Sequence, residues 1–336
     1  MKNFAKFCLY EIVLLSLLFP TIVSASVQLK LSLSQQQAFT RHMVIRHHFN
    51  YQQLTQLFAK VKLQPQAIQL MKQPHEAKPW YKYRSLLVTP DRIAGGVKFW
   101  HEHAKLLSRI EQRYGVPANI IVAVLGIESN YAAVQGNFKV LDTLFTLAFS
   151  YPRRSAFFRH ELEQFLLLAR EAKLDPNLIY GSYSGAIGQP QFMPSTYRQY
   201  AVAYKHAGYS NLFSNDADVI ASIANYFKRH GWRKGAPITV KAQIMKNNYL
   251  AVAHYGLRSK ITMASLQRHG VTARVPIAPT QQVTFLRLQQ QQGYEYWIGL
   301  PNFYVLSSYN PSLNYTMAVF QLAQQIATHY YLQPTN

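Results

Sequence analysis

The chain has 336 residues, 49% of them hydrophobic and 14% aromatic, which excludes a disordered protein and sets the scale at about two domains. Lys and Arg number 35 against 14 Asp and Glu, a formal charge of +21 that favours nucleic acid, anionic lipid or an acidic polymer as partner. The single cysteine, Cys8, excludes a disulfide framework, thiolate metal sites, iron–sulfur clusters and paired redox thiols.

Residues 1–25 read as an export signal. Lys2 and Lys6 precede the apolar run Ile12–Phe19, Pro20 follows, and Val23-Ser24-Ala25 has the small-residue spacing of a cleavage site. The run is shorter than the roughly 20 residues needed to span a hydrocarbon core. Cys8 lies before the run, so it is not placed for lipid modification. Export argues against nucleic acid and leaves the periplasm, with its anionic cell-wall polymers, as the expected compartment.

From Ser26 to Gln73 short amphipathic patterns predict an outer layer of small helices with no visible chemistry. The aromatic, basic stretch Pro79–Arg84 follows, and Thr89-Pro90-Asp91 marks the start of a helix running through Phe99 and Trp100. A helix beginning near Pro117 is apolar on nearly every side through Ile120, Ile121, Val122, Val124 and Leu125, the pattern of a buried core helix. Ser155 to Lys173 is helical, with Phe158, Leu162, Phe165 and Leu166 on its stripe. Residues 181–194, GSYSGAIGQPQFMP, hold three glycines and two prolines and predict a structured loop. Helical patterns resume at Ser195 and after Asp218. Ile238-Thr239-Val240, Val271-Thr272-Ala273, Val283-Thr284-Phe285 and Tyr294–Trp297 read as short strands, and Thr316–Tyr331 as a closing apolar helix.

The carboxylates are few enough to sort individually. Asp91, Asp142, Asp216 and Asp218 sit at helix starts as caps or dipole partners. Glu161 and Glu163 are read as solvated, as are Glu76, Glu102, Glu111, Glu171, Asp175 and Glu295. Glu128 differs because an almost continuous apolar run leads into it, within Gly126-Ile127-Glu128-Ser129-Asn130-Tyr131. Desolvation and the negative end of the helix dipole both favour a neutral carboxyl there, the form a general acid needs. Two readings stand level: a catalytic acid, or a carboxylate tied down by hydrogen bonds. No second carboxylate stands out as the partner that ordinary glycosidases use. His42, His47 and His48, and His101-Glu102-His103, lack the spacing of a zinc motif and are read as solvated or packed. No phosphate loop or nucleophile elbow is present.

Taken together, GIESNY at 126–131, FSYPRRS at 149–155, GSYSGAIGQPQFMPSTY at 181–197, ANYFKRHGW at 224–232 and SYNPSLNYTMAV at 308–319 resemble, in order, the B-type lytic murein transglycosylases. The resemblance runs from about Trp80 to Leu322. It implies a mainly α, α+β architecture: a lysozyme-like helical core at 96–235, a flanking helical layer at 26–95, a small β-rich domain at 236–300, and a cleft loop and helix at 301–336. It implies cleavage of the glycan between N-acetylmuramic acid and N-acetylglucosamine without water, giving 1,6-anhydro ends, with Glu128 as acid and then base. One carboxylate then suffices.

The same resemblance places Tyr83, Ser182, Gln191, Phe192, Met193, Tyr226, Tyr309, Asn310 and Tyr315 in the cleft, with Arg153 and Arg154 near it to meet substrate carboxylates. Many relatives carry a calcium loop resembling an EF-hand after QFMPS. Here Lys205, His206 and Ala207 stand where oxygen ligands or Gly are expected, so neither calcium nor any other metal or cofactor is expected. The expected partners are peptidoglycan glycan strands, with cell-wall synthesis or division proteins as further candidates, and the expected state is a monomer. The competing functions are a hydrolytic muramidase and a catalytically silent peptidoglycan-binding or scaffold protein.

Overall fold

The computed structural model describes residues 31–332 apart from 73–77, 206, 254–256 and 258–260. The export segment at 1–25 lies outside the described residues. No helix among the described residues is long and apolar enough to cross a membrane.

Three helices form the outer layer: α1 (Leu33–His47), α2 (Tyr51–Ala59) and α3 (Pro65–Lys72). Asn50 caps α2 by accepting from the Gln53 amide at 3.0 Å. Next come α4 (Trp80–Leu87), α5 (Pro90–Glu102), α6 (Ala104–Tyr114) and α7 (Ala118–Ser129). Thr89 caps α5, and Pro90 supplies its first turn. The sequence-based division at 95/96 therefore cuts through a continuous helix.

The two-residue strand β1 (Phe138–Lys139) leads into α8 (Val140–Ser150), and α9 (Ser155–Glu171) follows after a 3₁₀ turn at Pro152–Arg154. β2 (Tyr180–Gly181) pairs antiparallel with β1. α10 (Pro194–Tyr200) and α11 (Asp216–Arg229) complete this region. The outer layer docks through aromatic rings: Phe39 meets Phe149 at 5.8 Å and Phe58 meets Phe145 at 5.2 Å.

Helix α7 is the axis of the core. Its β-branched run is an indifferent helix former, and burial overrides that preference. Ile121, Val122, Val124 and Leu125 are fully enclosed, each contributing about 1.5–3 kcal/mol. α5, α6, α11 and the C-terminal helix α14 (Leu313–Leu332) surround it.

In the chain between α11 and α14 comes a five-stranded antiparallel sheet made of β3 (Thr239–Ile244), β4 (Ile261–Thr262), β5 (Val271–Ala273), β6 (Gln282–Gln289) and β7 (Tyr294–Gly299), in the order β4-β6-β7-β3-β5. The four strands read from sequence are present. The pattern missed β4 and α12 (Met263–Arg268), which are too short for a period to register. Alternate residues of β6 serve two cores: Leu286 and Leu288 face the main core, while Val283 and Phe285 join a smaller one with Met263, Leu266 and Ile298. Helix α13 (Pro301–Ser307) then leads to α14.

Candidate active site

Glu128 sits in the last turn of α7. The helix is buried, but Glu128 itself is half-buried and opens onto a cavity of about 330 Å³ lined by Tyr83, Leu86, Leu87, Ile127, Asn310 and Tyr315. The side chain is therefore not sealed in the apolar interior, as the sequence pattern suggested.

A compact device holds this helix end. Asn130, Tyr131 and Ala132 all adopt positive φ, at 49°, 57° and 73°, turning the chain sharply back. The Tyr131 ring fills a notch between α5 and α7, where a Cβ on Gly95 would come within 2.9 Å of the ring and one on Gly126 within 2.7 Å of its Cζ. The Tyr131 hydroxyl donates to the Arg92 carbonyl at 2.7 Å.

The Arg92 guanidinium in turn donates to the carbonyls of Gly126 at 2.9 Å, Leu86 at 2.9 Å and Leu87 at 2.8 Å. It ties α4 to α7 beside Glu128, and its cation opposes the negative helix end. Burial pushes the Arg92 pKa down and the Tyr131 phenol up.

Tyr315, in the first turn of α14, donates its hydroxyl to Glu128 Oε1. Tyr309 lies parallel to it at 6.4 Å and donates to the Pro190 carbonyl at 2.6 Å. Phe192 and Tyr226 pack on Tyr309 at 5.7 and 5.0 Å, and Tyr226 donates to the Ser308 carbonyl at 2.7 Å. Burial first, and the Glu128 charge second, push both the Tyr309 and Tyr315 phenols well above their ordinary value. They are neutral donors throughout the physiological range.

The 181–194 loop is built as its composition predicted. Ile187 bridges both Gly181 and Phe192, and the Ser182 hydroxyl accepts from the amides of Ser184 at 3.2 Å and Ala186 at 3.0 Å. Gly188 has φ 70°, and a Cβ there would meet the Leu212 carbonyl oxygen at 2.6 Å. Gln191 donates to the carbonyls of Gly188 at 2.8 Å and Gln135 at 3.0 Å. Met193 is half-buried and leads into α10.

The residues implied by the motifs thus fall into groups. Tyr83, Asn310 and Tyr315 share the cavity with Glu128; Phe192, Tyr226 and Tyr309 form an aromatic wall behind Tyr315; Ser182, Gln191 and Met193 belong to the loop. Arg153 and Arg154 lie exposed on the 3₁₀ turn at the opposite end of α8 from β1, and Arg154 stacks over Phe157 at 4.3 Å. Leu86, Leu87, Ile127, Arg92 and Tyr131 were missed. The glycines at 95, 96 and 126, inside otherwise helical patterns, were the available signal for the Tyr131 notch.

Several acids differ from the sequence reading: Glu111, Glu171 and Glu295 are half-buried and accept from the Ala118 amide, the Arg198 guanidinium and the Trp297 indole, while Glu76 lies outside the described residues. Glu161 is 2% exposed, accepting from the Ser195 amide at 3.0 Å and hydroxyl at 2.7 Å. It anchors the start of α10 instead of facing solvent. Glu163 is half-buried and meets His47 at 2.8 Å and His42 at 3.3 Å. In the first turn of α11, Asp218 is fully buried and accepts from the amides of two residues in the preceding loop, Tyr204 at 2.8 Å and Asn211 at 2.7 Å. Among the described residues, Glu128 is the one acid lining its cavity.

A helical body with a half-buried glutamate at the end of its central helix, opening onto an aromatic-lined cavity, defines a lysozyme-like carbohydrate-active enzyme. Residues 33–324 match the transglycosylase SLT domain. The chain belongs to that family. It is 42% identical over 301 residues to membrane-bound lytic murein transglycosylase B of Escherichia coli, covering 87% of this chain and 82% of that one. The catenated lytic transglycosylase SltB1 of Pseudomonas aeruginosa superposes with a TM-score of 0.84 at 41% identity, covering 89% of this chain and 98% of that one. SltB3 of Pseudomonas aeruginosa, solved in complex with NAG-anhNAM-pentapeptide, has a TM-score of 0.76 at 29% identity, covering 88% of this chain and 80% of that one.

Proposed function

We propose that this chain is a peptidoglycan lytic transglycosylase cleaving the β-1,4 bond between N-acetylmuramic acid and N-acetylglucosamine, with Glu128 as the single acid and base. The observation that carries the reading is one carboxyl on the cavity, held by Tyr315. Retaining and inverting hydrolases set a second carboxylate about 5–9.5 Å from the first. With one carboxyl, the base that completes the reaction is the same group that gave the proton, and an internal hydroxyl of the substrate can return that proton without a second carboxylate. Glu128 protonates the glycosidic oxygen, the C1–O bond breaks, and the muramyl C6 hydroxyl attacks C1. Its proton passes to the Glu128 carboxylate, which restores the acid and leaves a 1,6-anhydro ring. The Tyr315 hydroxyl fixes the carboxyl orientation in both stages.

The neighbouring groups support a sugar ligand. Tyr83 and Tyr315 offer ring faces, and the Asn310 amide suits hydroxyl and acetamido groups. Exposed Arg153 and Arg154 suit the carboxylates of peptide stems. The Asp218 carboxylate, in the first turn of α11, is engaged by backbone amides of the α10–α11 loop, which supports a loop closed by the protein's own donors without calcium. The pattern of residues 2–25 supports export to the periplasm, where a basic surface meets the anionic wall.

Mass spectrometry of digested sacculi tests the reading. Anhydro-muramyl products, one water lighter than hydrolytic ones, are expected from the wild type, and Glu128→Gln should lose turnover. Hydrated products alone would make the chain a hydrolytic muramidase, and a wild type without turnover would make it a binding or scaffold protein.

A further inference from the structure

Away from the cavity, at the junction between the outer layer and the catalytic body, three side chains converge. His42 and His47 come from α1 and Glu163 from α9. His47 Nε2 stands 2.8 Å from Glu163 Oε1 and His42 Nε2 stands 3.3 Å from Oε2, and one ligand atom from each residue lies within 4.8 Å of the others. We infer that His42, His47 and Glu163 form a site for a borderline divalent transition metal such as Zn²⁺.

The geometry fits that class. Bonds of about 2.0–2.1 Å to imidazole nitrogen and carboxylate oxygen place neighbouring tetrahedral ligands roughly 3.3 Å apart. The two His–carboxylate separations lie within about 0.5 Å of that spacing, and the widest separation among the three ligand atoms, at most 4.8 Å, would need to close by up to about 1.5 Å. The two imidazoles are set edge to face, with centroids 5.5 Å apart and planes at 78°, and both Nε2 atoms face the one Glu163 carboxylate.

The frame is held from outside the site. α1 ends at His47, His48 takes the left-handed conformation at φ 55°, and the Arg170 guanidinium donates to the His47 carbonyl at 2.6 Å. Two nearby arginines are otherwise engaged: Arg170 stacks over Phe49 at 4.2 Å, and Arg159 donates to Gln35 at 3.0 Å.

An adjoining cavity of about 390 Å³, lined by His42, Glu163, Gln35 and His160, leaves room for a water or a fourth ligand. Two nitrogens and one carboxylate in a strongly basic chain suit zinc, nickel or copper. Calcium and magnesium need more oxygen ligands. A metal here would cross-brace α1 to α9 and stabilise the folded chain by mass action.

Calorimetric titration of the untagged, chelator-treated full chain with Zn²⁺ tests this, with Ca²⁺ and Mg²⁺ as comparison ions. One equivalent of Zn²⁺ with micromolar or tighter affinity, a raised Tm, and no response to Ca²⁺ or Mg²⁺ are expected. Glu163→Gln and His42→Gln should each weaken binding at least tenfold, while His329→Gln should leave it unchanged. Circular dichroism establishes that the variants fold, and the half-exposed His42 keeps the test open should Glu163→Gln not fold. Absence of Zn²⁺ binding, an equal response to Ca²⁺, or binding unaltered in His42→Gln and Glu163→Gln would overturn the site. Glu163→Gln should retain glycan cleavage, which separates this test from that of Glu128.

Discussion

Tyr315, in the first turn of α14, donates its hydroxyl to Glu128, in the last turn of α7, across 187 positions of sequence. The bond fixes the carboxyl at the edge of the cavity. Tyr315→Phe keeps the ring parallel to Tyr309 and removes only the donor. Turnover of sacculi should fall about 10- to 100-fold, with stability changed by about 1 kcal/mol or less. Undiminished turnover would show that the bond does not orient the acid.

The buried phenols set the alkaline limit of the fold. Tyr131, Tyr197, Tyr226, Tyr309 and Tyr315 are all raised, with burial the largest cause. A raised pKa means that the folded state holds its proton more tightly than the unfolded chain. That stability is fully present below about pH 10 and is lost as pH rises toward the folded values. Urea midpoints should therefore drop steeply above about pH 10, and the drop should be shallower in Tyr309→Phe. Parallel curves for the two proteins would contradict the assignment.

At Gly126 there is no room for a methyl group. Its Cβ would enter the Tyr131 ring, which is pinned at its hydroxyl by Arg92 and flanked by Gly95. Gly126→Ala should cost about 1–3 kcal/mol in chemical denaturation and lower activity as well, because Glu128 is two residues away. A stable, fully active Gly126→Ala protein would mean that the notch yields without moving the helix end.

Glu161 should behave as a structural acid. Removing it leaves the Ser195 amide and hydroxyl without their acceptor at the base of the 181–194 loop. Glu161→Ala should destabilise by about 2–4 kcal/mol. Limited proteolysis should then find new cleavage near Met193, and an unchanged digestion pattern would count against this role.

What could be read from sequence follows from how far each signal reaches along the chain. Glu128 stood out because one uninterrupted apolar helix leads into it, and the 181–194 loop because Gly and Pro cannot continue a helix. The strand pair around Val283 and Trp297 showed in its alternation. Glu161 was misread because its partner Ser195 lies 34 residues on, and Glu163 because its partner His47 is 116 residues away. Neither contact leaves a local period. Arg92 was equally silent, since its three acceptors are backbone carbonyls, which every sequence supplies.

Strand β6 is a party wall. Leu286 and Leu288 close one room and Val283 and Phe285 the other, so a slip of one residue would exchange their occupants. The smaller room cannot open by itself without stripping the catalytic body of its lining. Amide exchange in β6 should therefore proceed only with global unfolding, at the same free energy as α7. Tyr309 and Asn310, reached from β7 through α13, inherit that rigidity, and a glycan strand pulling on the cleft would load the whole molecule at once.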